Sequence, residues 1–121
     1  MTPCSVVSGN ATEGSALGTS RAALCNEALS CLRTSSCSIL PTVMTTQDLV
    51  ASCYCGGAFA SCDSTNASGP CKVAFERSLE TTNKQTMVNR LSDVNYGGYQ
   101  AAVRVDCDQY VCPTSGCFGT Q

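Results

Sequence analysis

The chain has 121 residues, eleven of them cysteine and none histidine or tryptophan, with a formal net charge of −2 and only 13% charged side chains. Lack of histidine removes the usual general base, the usual partner of a serine or cysteine nucleophile and the commonest metal ligand, and the low, net acidic charge argues against nucleic acid as a partner, which needs a basic patch. A short chain at this cysteine density reads as one exported, disulfide-stapled domain, because disulfides persist only where thiols are not continually reduced.

Residues 1–19 are rich in Ser, Thr and Gly with little periodicity, so an irregular N-terminal arm is expected ahead of a stapled helical domain at residues 20–121. Ser20 suits an N-cap, and a helix is expected from there to about Ser35. Its inward stripes are Leu24, Ala28, Cys31 and Cys25, Leu29, Leu32, with bridges from Cys25 and Cys31 at two heights and Arg21, Glu27 and Arg33 turned to water. After Pro41, Thr45 and Asp48 have the spacing of a variant capping box, which predicts a short helix over 46–53 that delivers Cys53 and Cys55 to the core edge. The Gly56-Gly57 pair permits a reversal, and 63–69 is loop. Ser68-Gly69-Pro70 then opens a helix with Cys71, Phe75 and Leu79 inward and Glu76 and Glu80 outward. A second capping box, Thr82 with Gln85, opens a helix carrying Met87, Val88, Leu91 and Val94, and these two helices are expected to pair as a hairpin. Past Gly97-Gly98, the residues Tyr99, Ala102, Val103, Cys107 and Tyr110 suit a last helix, which Pro113 and Gly116 end. The expected fold class is all-α, a small disulfide-rich domain of about five short helices.

Ten cysteines are candidates for bridges: Cys25, Cys31, Cys37, Cys53, Cys55, Cys62, Cys71, Cys107, Cys112 and Cys117. The odd count leaves one over, and Cys4, remote in its polar segment, is the candidate for a free or intermolecular thiol. A C-x-C pair does not close comfortably on itself, so Cys53 and Cys55 are expected to run to different elements as the central staple between the first helix and the later ones. With Cys62 and Cys71 they offer four thiolates, but gaps of one, six and eight residues do not form zinc knuckles, and bridges are the better reading. No C-x-x-C is present to suggest a thioredoxin-like centre or covalent haem.

Other constellations are weaker. Asp106 and Asp108 flank Cys107, and on a helix they diverge instead of facing each other across a glycosidase cleft. Asp63, Asn66 and Ser68 lack the oxygen-ligand spacing of a calcium loop. Asn10-Ala11-Thr12 and Asn66-Ala67-Ser68 match the N-glycosylation triplet in expected loops, making Asn10 and Asn66 candidate acceptors. No window is apolar enough to span a membrane, and residues 1–30 lack the basic start and apolar stretch of an export signal. An exported chain would therefore have had its signal peptide removed, with Met1 added in its place.

From Cys25 to Cys117, the elements Cys31-Leu32-Arg33-Thr34-Ser35-Ser36-Cys37, Cys53-Tyr54-Cys55-Gly56, Gly69-Pro70-Cys71-Lys72 and Cys107-Asp108 with Cys112 and Cys117 resemble cysteine-rich secreted or lipoprotein domains of the myxobacterial type. That resemblance implies an exported helical disulfide module and no known reaction. The C-x5-C-x5-C, C-x-C order is also similar to the helical disulfide domain of GDNF-receptor and Gas1-type proteins, which implies protein-ligand binding. Asp48 ahead of Cys53-Tyr54-Cys55 resembles fungal CFEM domains, where that Asp helps to bind haem iron, although the cysteine spacing departs on both sides.

The expected function is therefore non-enzymatic: a secreted or cell-surface protein acting through a protein partner or self-association, as a structural or accessory subunit of an extracellular assembly. No cofactor, metal or nucleic acid is expected. The alternative is a secreted binding module for a protein ligand or a small apolar one, the latter held among Leu49, Phe59, Phe75, Met87 and Tyr99.

Overall fold

A computed structural model describes Cys4, residues 7–38 and residues 45–106. The described chain is all-α and disulfide-rich: α1 (Arg21–Ser35), α2 (Thr46–Leu49) running into a π-helical turn (Val50–Cys55), α3 (Lys72–Ser78), α4 (Lys84–Arg90) and α5 (Gly97–Asp106). Helix α1 is the central element, packed most extensively on α5 and then on α3, while α2 and α4 gather around the π turn. Among the described residues no helix is long and apolar enough to cross a membrane.

Helix α1 forms as its pattern dictates. Ser20 Oγ accepts a hydrogen bond from the Ala23 N–H at 3.2 Å, and the helix stops where Ser36 turns left-handed (φ 58°) and donates back to the Leu32 carbonyl. Leu24, Cys25, Ala28, Leu29 and Leu32 are buried. Thr45 caps α2 through the Asp48 N–H at 3.0 Å. The cap of α4 is Asn83, not Thr82: its side chain accepts from the Thr86 N–H at 2.9 Å, and asparagine is the stronger capping residue.

The C-Y-C-G and G-P-C elements of the sequence turn out to be two halves of one backbone junction. The N–H groups of Ser68, Gly69 and Cys71 donate to the carbonyls of Cys55, Tyr54 and Cys53 at 3.1, 2.9 and 2.8 Å. These bonds satisfy carbonyls at the end of a helical segment, and Pro70 falls where no donor is needed. Gly69 is obligatory here, because a Cβ on it would sit 2.4 Å from the Cys53 carbonyl oxygen. Gly97 likewise lets α5 start against α1, since its Cβ would lie 2.7 Å from the Arg21 carbonyl oxygen and 2.9 Å from the Cys25 nitrogen.

Among the described residues four bridges join Cys4–Cys25, Cys31–Cys71, Cys37–Cys53 and Cys55–Cys62. Cys4 is thus an internal partner of Cys25 and not the odd thiol. The C-x-C pair does separate, but Cys53 reaches only to the end of α1 and Cys55 closes a local loop. The staple from α1 to a later helix is Cys31–Cys71. Cys107, Cys112 and Cys117, with Asp108, Tyr110, Pro113 and Gly116, lie outside the described residues.

The arm is irregular yet packed. An antiparallel bridge pairs Asn10 with Ser20, the Arg21 N–H donates to the Gly9 carbonyl at 3.0 Å, and Ala11 and Ala16 bury Leu24. Three further expectations need correction. Helices α3 and α4 do not stack as a hairpin, because α3 packs on α1, the π turn and α5 while α4 packs on α2 and the π turn. Val94 lies beyond the end of α4 and is 60% exposed. The buried face of α5 is Gly97, Gly98, Ala101 and Val105, with Tyr99, Ala102 and Val103 half-buried at its flanks.

Candidate functional site

The most organised polar cluster is built on two residues whose spacing points them at water. Glu80 follows α3 by two positions, in the left-handed conformation (φ 59°), which turns its side chain inward to complete burial. Non-glycine residues rarely adopt that conformation, and the surroundings must hold it. They do so from three elements. Arg21, at the start of α1, makes a two-pronged contact, Nε to Glu80 Oε2 at 2.7 Å and Nη2 to Oε1 at 3.0 Å. From the arm, the Thr12 N–H donates to Oε1 at 2.9 Å. Arg90, at the end of α4, donates Nη1 to the carbonyls of Leu79 and Glu80 at 3.0 and 2.9 Å and Nη2 to Glu13 at 3.1 Å. The Tyr96 ring contacts both cations, 4.9 Å from the Arg21 guanidinium carbon and 4.7 Å from that of Arg90.

Two carboxylates meet two guanidinium groups, and the hydrogen bonds that Arg21 donates to Glu80 push its guanidinium further still from deprotonation. Arg21 and Arg90 are thus engaged by Glu80 and Glu13, and the arrangement works as a clamp tying the arm, α1, the end of α3 and α4 together.

A second buried polar contact stabilises the π turn. Tyr54 is fully buried, and its hydroxyl donates to Glu76 Oε2 at 2.8 Å. Burial, followed by the hydrogen bond to Glu76 and that carboxylate's charge, raises the phenol far above its ordinary value. The sign follows: the folded state holds the neutral phenol, so its stabilisation is complete below the unfolded value of about 10 and is lost as pH rises from there toward the raised folded value. In an alkaline titration followed by phenolate absorbance, Tyr54 is expected to ionise only together with unfolding. A Tyr54→Phe variant should lose that coupled step.

A shallow, open depression of about 590 Å³ lies beside the π turn, lined by Asp48, Ala51, Ser52, Gly56, Gly57, Ser68 and Pro70. It holds Asp48, the residue that the CFEM resemblance singles out, but none of the expected apolar liners. Of those, Leu49, Phe75 and Met87 are buried core and Phe59 and Tyr99 are half-buried. Cys53, Cys55, Cys62 and Cys71 are each in a disulfide, which removes them as thiolate ligands. Asp63 is occupied by its own loop: its Oδ1 accepts from the Thr65 hydroxyl at 2.6 Å and from the N–H groups of Thr65 and Asn66 at 2.9 and 3.0 Å. The Thr65 hydroxyl, then the two backbone donors, hold its carboxyl below the usual range.

Asn10 and Asn66 are both exposed. The Asn66 amide is engaged at both ends, donating to the Ser61 carbonyl at 2.9 Å and accepting from the Asp63 N–H at 2.8 Å. Asp106 ends α5 and Asp108 lies outside the described residues, so the structure does not bring that pair together in a site. The Arg21–Glu80 clamp was missed because helical periodicity assumes that the helix continues, whereas α3 ends at Ser78. The only sequence signal for it was a charged residue just before a capping motif.

No known protein family, curated protein or solved structure matches the chain.

Proposed function

We propose that the chain is an exported, non-enzymatic protein that acts by protein contact, as a structural or accessory subunit of an extracellular or surface assembly. The observation that carries this reading is the cysteine inventory. Four internal bridges take up eight of the eleven cysteines, Cys4 among them. The odd count then falls on Cys107, Cys112 and Cys117, which cannot all pair with one another within these residues. A thiol left over in an oxidising compartment is open to a bridge with another chain. Consumption of the buried charges inside the clamp supports a scaffold over a catalyst, and the all-helical stapled architecture suits a module built to persist outside the cell.

The test is intact mass with and without reductant, together with light scattering, on protein taken from its own secretion route. A species above monomer mass that collapses on reduction is the expected result. A monomer under both conditions, carrying one free thiol at high protein concentration, would overturn the proposal.

A further inference from the structure

We propose that the adjacent bridges Cys31–Cys71 and Cys37–Cys53 form a thiol-exchange site, at which a small-molecule thiol opens the first bridge and Cys71 relays the exchange to Cys37. Among the eight described cysteines, only Cys31 and Cys37 are half-buried; the other six are buried, with Cys71 at 1% and Cys53 at 0% exposure. Each of the two bridges therefore joins one half-buried cysteine to one buried cysteine. The bridges also touch, with Cys37 Sγ 3.9 Å from Cys71 Sγ. Ser35 Oγ lies 3.2 Å from Cys37 Sγ and 3.6 Å from Cys71 Sγ, which places a hydroxyl donor beside the sulfur where a thiolate would form.

The chemistry is two successive exchanges without net oxidation. The entering thiolate attacks Cys31 Sγ, its sulfur bonds to Cys31, the Cys31–Cys71 bond breaks and the electron pair leaves on Cys71. Cys71 then attacks Cys37 Sγ, Cys37–Cys71 forms, Cys37–Cys53 breaks and the pair leaves on Cys53. The proton released by the entering thiol ends on Cys53. The second step needs no diffusion, so it outruns attack by another small thiol. This site is independent of the assembly proposed above, because it uses none of the three C-terminal cysteines.

Glutathione at native pH, acid quenching and alkylation, then digestion with trypsin and an Asp-directed protease, tests the relay. Cleavage puts Cys31 in peptide 22–33, Cys37 in 34–47, Cys53 in 48–62 and Cys71 in 63–72. The expected product joins 34–47 to 63–72, with glutathione on Cys31 and alkylated Cys53, on the order of tenfold more abundant than any other non-native pairing. Glutathione on Cys31 with Cys71 alkylated and Cys37–Cys53 intact would overturn the relay. So would a set of pairings matching that of a denatured control, or resistance of both bridges until the whole domain unfolds.

Discussion

Replacing Arg21 by alanine is expected to cost about 3 kcal/mol, read as a shift of the urea unfolding midpoint with all disulfides intact. The reason is the state in which it leaves Glu80. That carboxylate is fully buried while Arg21 keeps 15% exposure, so truncation of the cation strands an anion with the Thr12 N–H as its remaining strong donor. The Glu80→Gln variant removes the charge but keeps an acceptor for Thr12, and it should cost about 1–2 kcal/mol. The double variant is expected to cost less than the two singles added, because the second change removes the anion that the first one stranded. Strict additivity would show that the clamp is not an energetic unit.

Removal of the Cys31–Cys71 bridge, by changing both residues to alanine, should destabilise the domain by an amount that depends on the other bridges. The bridged residues are 40 apart in sequence, a closure worth about 4 kcal/mol in unfolded-state entropy. Cys37–Cys53 and Cys55–Cys62 lie inside that segment and short-circuit it. With both in place, the ring closed by Cys31–Cys71 shrinks to roughly twenty residues and its contribution to about 3 kcal/mol. The double Cys→Ala change is therefore expected to cost more in a background already lacking the two inner bridges. Calorimetric unfolding of the two backgrounds checks this. An equal cost in both would locate the stabilisation in native packing instead of in chain entropy.

These expectations rest on features of unequal legibility. Helix α1 was readable because Ser20, the two apolar stripes and the stop near Ser35 are all local signals that agree. The last turn of α4 was overextended because Val94 continues an apolar pattern that the backbone abandons after Arg90. The α5 face was misassigned because apolar size nominated Tyr99 and Val103, whereas close approach to α1 and Leu79 selected the two glycines. Composition nominated Cys4 as the odd thiol, but a terminal segment with few apolar residues is the kind that a bridge to Cys25 can hold down.

The sequence by itself determined the class of this protein: an all-α domain held by disulfides, with no histidine chemistry, helices opened by local caps and a C-x-C pair whose members part. Those properties follow from residue types and short-range spacing, which act before the chain folds back on itself. Only the tertiary structure decided which cysteines meet, that Glu80 turns inward to Arg21, and that two bridges lie with their sulfurs in contact. Those are pairings across tens of residues, and they depend on where each helix ends and on how closely backbones approach, which no local pattern specifies.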